Sequence, residues 1–165
     1  HREAVPGAVR RMRGEKMNND LMFSSKSEMW ATPQDFFDDL NNLFQFTLDA
    51  CATPENAKCE RYFTPEMDGL KQDWDGVVWC NPPYGRGVGA WVEKAHRTAE
   101  ESDATVVMLL PARTDTAWFH DYCYNDKYAT INFVRGRLKF GGEKNSAPFP
   151  SMVVICRRPA KALHY

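Results

Sequence analysis

The order of segments in this chain predicts an α/β fold, a single domain built on a mostly parallel sheet that ends in an antiparallel C-terminal hairpin. Three observations carry the expectation. Short, continuously apolar runs alternate with amphipathic helical ones through the first two thirds of the domain, strand-like runs then follow one another without helices, and polar residues sit at the carboxyl ends of the apolar runs. In such sheets ligands bind outside the carboxyl ends of the strands.

The elements follow in order. Residues 1–28 have few large apolar residues and no sustained period, while Arg10, Arg11, Arg13 and Lys16 make them basic, so they read as a flexible N-terminal arm. The domain is expected over 29–160, with 161–165 as a short tail. Thr32-Pro33-Gln34-Asp35 sets a capping hydroxyl before a first-turn proline and an acid, the signature of a helix start. Phe36, Phe37, Leu40, Leu43 and Phe44 then recur at helical spacing. Phe46 to Ala50 reads as a strand with Asp49 at its end, and a second short strand is expected around Arg61 to Phe63. Val77 to Cys80 is short and wholly apolar, as a strand covered on both faces must be, and Pro82 and Pro83 end it. Val88, Trp91, Val92, Ala95 and Ala99 mark a helix, Thr105 to Leu110 a buried strand stopped by Pro111, and Thr116 to Tyr124 a further helix. Strands are expected at Thr130 to Val134, Leu138 to Phe140 and Met152 to Cys156, the last two forming the hairpin around Gly141, Gly142 and Pro148.

Composition narrows the class. At 165 residues, with 43% hydrophobic and 26% charged residues, the chain has the make-up of one soluble domain, and no apolar run approaches the roughly 20 residues that cross a bilayer. The first residues lack the apolar stretch of a secretory signal, so a cytoplasmic location is expected, with no membrane partner. Five cysteines without Cys-x-x-Cys spacing read as reduced thiols, and four scattered histidines give a metal site no support, so none is expected. The oligomeric state is not legible. A net charge of −1 means that any attraction to nucleic acid must come from a local basic face.

The segment with the most chemistry is Asn81-Pro82-Pro83-Tyr84. An exocyclic amine such as N6 of adenine is a poor nucleophile because its lone pair is delocalised into the ring. A catalyst must accept hydrogen bonds from its N–H groups, which the Asn81 carbonyl oxygen and a proline-stiffened backbone carbonyl can do. Tyr84 offers an aromatic face on which an extruded base can stack. Taken alone, the same four residues also suit a proline-terminated strand with a capping Asn and a packing Tyr.

Several further segments in the same order resemble a known family, the phage and prophage DNA N6-adenine methyltransferases of Dam type. They are Trp30-Ala31-Thr32-Pro33, Leu48-Asp49-Ala50-Cys51-Ala52, Asn56-Ala57-Lys58-Cys59, Arg61-Tyr62-Phe63-Thr64, Asp68-Gly69-Leu70, Asn81-Pro82-Pro83-Tyr84-Gly85 and Leu110-Pro111-Ala112-Arg113-Thr114-Asp115. The resemblance spans about Trp30 to Cys156. It implies a Rossmann-like methyltransferase domain, S-adenosylmethionine as cofactor, adenine in double-stranded DNA as acceptor, and a bacterial or phage-infected host cell as the setting. It also implies Asn81 to Tyr84 as the catalytic loop and Thr32, Pro33, Asp49, Ala50 and Cys51 as cofactor-binding residues. Many methyltransferases carry a Gly-x-Gly turn where this chain has Ala50-Cys51-Ala52, a departure that leaves the individual cofactor contacts open.

Asp68 is open to two readings, a contact to the cofactor's adenosine or a turn former before Gly69. Arg113 either meets a DNA phosphate or is a solvated loop residue. Arg135, Arg137, Lys139 and Lys144 cluster near the expected hairpin and can supply the basic face for DNA, or simply keep it soluble. Trp30, Trp91 and Trp118 read as core or interface residues. Two rival functions stay open: methylation of a protein glutamine at N5, whose amide poses the same lone-pair problem, and a catalytically silent module that binds DNA or the cofactor.

Overall fold

A computed structural model describes residues 30–142, 144 and 146–161. The basic arm expected over 1–28 and nearly all of the tail expected at 161–165 lie outside the described residues. The elements run α1 (Gln34–Phe44), β1 (Leu48–Asp49), a 3₁₀ turn (Gly69–Lys71), β2 (Val77–Cys80), α2 (Val88–Glu101), β3 (Thr105–Pro111), α3 (Ala117–Tyr122), β4 (Ala129–Phe133), a second 3₁₀ turn (Phe140–Gly142) and β5 (Ser151–Cys156).

One five-stranded sheet organises them in the order β1-β2-β3-β5-β4. β1 pairs with β2 and β2 with β3 in parallel, whereas β5 runs antiparallel to both β3 and β4. β5 is therefore the one reversed strand, inserted between β3 and β4. Every residue of β5, and of β3 from Val106 onward, is buried. Apart from Ser151 these buried stretches are apolar because neither face meets water, and each large side chain they bury contributes roughly 1.5–3 kcal/mol.

β1 sits where the strand order reverses. Beyond it, on the edge away from β2, Tyr62 makes a parallel bridge to Asp49, with Asp49 N donating to Arg61 O at 3.0 Å and Phe63 N to Asp49 O at 3.0 Å. The strand expected at Arg61 to Phe63 is thus a single bridge. From β1 the chain first goes to one side and then returns to β2 on the other, and a crevice opens at such a reversal.

α1 lays Phe37 against Trp79 of β2, ring centroids 5.3 Å apart, and against Phe46 at 5.5 Å. α2 buries Val88, Trp91, Val92, Ala95 and Ala99, the set its 3.6-residue period predicts, and packs on β3, β5, α3 and the first 3₁₀ turn.

Three expectations need correction. Leu138 to Phe140 is not a strand: Gly141 is left-handed at φ 60° and its N–H donates to Ala31 O at 2.9 Å, which turns this segment toward the start of the domain. The hairpin is accordingly β4–β5, with residues 134–150 as its connection. Thr32 does not cap α1, since Pro33 holds the cap position and no side chain caps the first turn. Pro111 lies within β3 rather than beyond it.

Candidate active site

β1, β2 and β3 are parallel, so their carboxyl ends fall along one border of the sheet, at Asp49, Cys80 and Pro111. Asp49 is 2% exposed. Its Oδ1 accepts from Cys51 N at 3.2 Å and its Oδ2 from Lys58 N at 3.0 Å, so the carboxylate folds the 50–58 loop back onto the strand end. Asn56 tightens the same loop by accepting from Thr53 N at 2.7 Å. Burial pushes the Asp49 carboxyl from 3.8 to about 6, against the pull of these two amides and the Lys58 charge. Ala50 and Ala52 are fully buried. A Cβ on Gly69 would stand 2.3 Å from Ala50 O, so the close backbone approach at this turn is supplied by a glycine from another segment.

Asn81 follows β2 directly. Its Nδ2 donates to Thr32 Oγ1 at 2.9 Å and to the Trp30 carbonyl, while its Oδ1 is buried without a partner among the described residues. The Trp30 carbonyl can only accept, so it fixes which end of the amide faces it. What remains is a held, unpaired acceptor, a group that normally costs about 1–3 kcal/mol to bury.

Pro82 is buried and Pro83 half-buried. Tyr84 is 2% exposed, its hydroxyl donates to Leu109 O at 3.0 Å, and its ring meets Phe149 at 5.5 Å and Phe140 at 6.3 Å. The ring is therefore packed among aromatic side chains of the 134–150 connection, and no face of it is presented to an incoming base. Trp30 joins the same cluster, edge-on to Phe140 and Phe149.

Two cavities lie along this border. A small one of about 20 Å³, room for one water, is lined by Trp30, Thr32, Asp49, Cys51, Lys58 and Asn81 among others. An open cleft of about 890 Å³ beside it is lined by Thr32, Pro33, Asp35, Lys58, Arg137 and Lys139 among others. Thr32 and Lys58 are common to both walls. The sequence-derived Thr32, Asp49, Cys51 and Asn81 are thus brought together, with Pro33 at the cleft and Ala50 buried beneath.

Asp68 is elsewhere: it is left-handed at φ 53°, accepts from Leu70 N at 3.2 Å, and lines neither cavity, which is the behaviour of a turn former. Arg113 lies exposed just past β3, and Arg135, Arg137, Lys139 and Lys144 are exposed on the connection. Lys58 escaped attention in the sequence although it stands inside Asn56-Ala57-Lys58-Cys59. Its ammonium donates to Gln34 Oε1 at 2.7 Å, and a lone loop cation two residues after Asn56 carries no motif of its own.

All five cysteines are free, and burial raises the thiols, Cys51 and Cys123 to about 12 and Cys59 to about 11, so they stay protonated. Among the described residues, no group of three His, Cys, Asp or Glu is placed to hold a metal ion, and no helix is long and apolar enough to cross a membrane.

Fold and site together give an α/β domain that presents a buried amide acceptor and a cleft at the carboxyl ends of its parallel strands. The profile of a family described as DNA N-6-adenine-methyltransferase (Dam) matches residues 21–163. A DNA N-6-adenine-methyltransferase of Haemophilus phage HP1 is 33% identical over 139 residues, 79% of each chain. One of Escherichia phage T1 is 38% identical over 95 residues, 56% of this chain and 39% of its own length. The chain belongs to the DNA N-6-adenine-methyltransferase (Dam) family and is a DNA adenine-N6 methyltransferase. Of the acceptors that the Asn-Pro-Pro-Tyr chemistry leaves open, the family selects adenine over a protein glutamine.

Proposed function

We propose that this Rossmann-like domain methylates N6 of an adenine extruded from double-stranded DNA, using S-adenosylmethionine, with Asn81 as the acceptor of the amine's N–H. The observation that carries the reading is the Asn81 side chain, its nitrogen saturated and its oxygen buried, unpaired and held. A flipped adenine supplies the donor that this oxygen lacks.

The residues present fit the cofactor. The open cleft is within the roughly 300–1,000 Å³ of small-molecule sites, and its wall and that of the adjoining cavity combine a lysine, a buried carboxylate and a threonine. Thr32 and Pro33 would border the cofactor, Lys58 would meet its carboxylate, and Asp49, Ala50 and Cys51 would form the floor at the end of β1. When bound, the cofactor supplies a methyl group made electrophilic by its sulfonium. Asn81 Oδ1, with a backbone carbonyl of the Asn81–Pro83 run, draws on the N6 protons, localises the nitrogen lone pair and favours a tetrahedral nitrogen. The prolines hold both acceptors in place before the base arrives. Tyr84 would stack on the base only with Phe140 and Phe149 displaced from its ring; packed as it is, it braces the loop through Leu109 O. Arg113 and the exposed cations of residues 134–150 meet the phosphates. The setting this chemistry requires is the compartment holding the DNA, the cytoplasm of a bacterial or phage-infected cell.

Asn81→Ala tests the reading. Transfer of tritiated methyl groups to duplex DNA should fall by about 10²- to 10³-fold, while cofactor affinity in calorimetry stays near wild type. Wild-type turnover in Asn81→Ala removes Asn81 from the mechanism.

A further inference from the structure

The hydroxyl of Thr32 has an unusual position for a residue that opens a helix. Thr32-Pro33-Gln34-Asp35 has the pattern of an N-cap, yet α1 starts with Pro33 at the cap position and with no side-chain cap bond. A capping hydroxyl is worth about 1 kcal/mol to a helix. Thr32 Oγ1 instead accepts from Asn81 Nδ2 at 2.9 Å, across 49 residues of sequence, and the residue is 6% exposed.

The second hydrogen of the Asn81 amide goes to the Trp30 carbonyl. One short segment, 30–32, therefore takes both hydrogens of the amide nitrogen. That segment is itself anchored. Trp30 packs edge-on to Phe140 at 5.6 Å and to Phe149 at 5.2 Å, and Ala31 O accepts from Gly141 N at 2.9 Å. If the amide turned over, its oxygen would face the Trp30 carbonyl, acceptor against acceptor, and Thr32 would be left to donate alone. With the amide as it stands, both partners agree and the oxygen is kept free.

We propose that Thr32 is a positioning residue for methyl transfer: its hydroxyl holds the Asn81 amide so that the carbonyl oxygen stays available to the acceptor amine. The inference rests on the reading of Asn81 given above and adds that Thr32, besides bordering the cleft, acts on the chemical step through Asn81. Thr32 also borders the cleft, so the two roles make different forecasts. A residue that contacts cofactor alters cofactor affinity, whereas one that orients Asn81 alters the chemical step with affinity unchanged.

The test uses the full chain with Thr32→Val and Thr32→Ser beside Asn81→Ala. Valine keeps the shape of threonine and removes the hydroxyl, whereas serine keeps the hydroxyl. Single-turnover methylation of duplex DNA is measured at saturating cofactor, S-adenosylmethionine affinity by calorimetry, and folding by thermal melting. Thr32→Val is expected to slow transfer roughly 10- to 100-fold, with cofactor affinity within about twofold of wild type, and Thr32→Ser to restore the rate to within about threefold. A wild-type rate in Thr32→Val overturns the proposal. So does a rate loss in Thr32→Val that persists in Thr32→Ser or is accompanied by a matching loss of cofactor affinity. The two readings fail separately: full activity in Asn81→Ala overturns the role of Asn81, whereas an inactive Asn81→Ala beside a fully active Thr32→Val overturns only that of Thr32.

Discussion

Asp49 is a carboxylate 2% exposed and satisfied by two backbone amides. Because it titrates near 6 in the fold and at 3.8 when exposed, the folded chain between those values retains a proton that the unfolded chain has released. On its account stability is highest below 3.8, falls as pH rises through the window, and above about 6 bears the whole penalty, about 3 kcal/mol at 1.36 kcal/mol per unit. Asp49→Asn removes that titration and loses one of two backbone bonds, so melting curves should show wild type gaining on the variant as pH falls from 7 to 4. Parallel pH profiles would contradict this. Tyr84→Phe frees the Leu109 carbonyl and should cost about 1 kcal/mol in urea unfolding, whereas Tyr84→Ala empties a buried ring site and should cost about 3–5 kcal/mol. If both variants are equally mild, the ring is not packed as described. The place of Asn81 was legible because a short apolar run ended by two prolines fixes the end of β2. The burial of Tyr84 was not, because Phe140 and Phe149, more than fifty residues away, decide whether its ring faces water.

Among the elements, α2 shows how far local pattern reaches: its period alone names the five residues it buries. β1 shows where it stops. Phe46 to Ala50 reads as a strand of ordinary length, but only Leu48–Asp49 pairs with β2 as strand, since the backbone turns into the 50–58 loop that Asp49 itself gathers. Leu138 to Phe140 fails for the opposite reason, a β-like run overridden by the left-handed Gly141 and its bond to Ala31. Gly69 joins two of these elements, with Trp74 Nε1 donating to its carbonyl at 2.9 Å and Ala50 O where its side chain would be. Gly69→Ala should therefore cost about 1–3 kcal/mol, as overpacking against backbone does, and chemical denaturation checks it. A variant as stable as wild type would mean that the turn and the β1 loop are free to separate.

At the scale of the whole molecule, the reversal of strand order at β1 sets the site between the Tyr62 bridge and β2, and the 134–150 connection carries Arg137 and Lys139 to the cleft wall. The alternation of segments foretold the parallel part of the sheet. The insertion of β5 between β3 and β4 was hidden, since a buried apolar run is the same in either direction. A chain of net charge −1 must bind DNA through a local face. The double variant Arg137→Ala/Lys139→Ala should then flatten the dependence of log affinity on log salt by up to about 2, roughly 0.9 per phosphate contact. An unchanged slope would remove these two cations from the interface. The most direct test of the account is the identity of the methylated product. Duplex DNA is incubated with the purified chain and isotopically labelled S-adenosylmethionine, digested to nucleosides and separated by chromatography with mass detection. Wild type should place label in N6-methyldeoxyadenosine, and Asn81→Ala should lose it. Label in another nucleoside or in protein glutamine, or an equal yield of N6-methyldeoxyadenosine from Asn81→Ala, would contradict it.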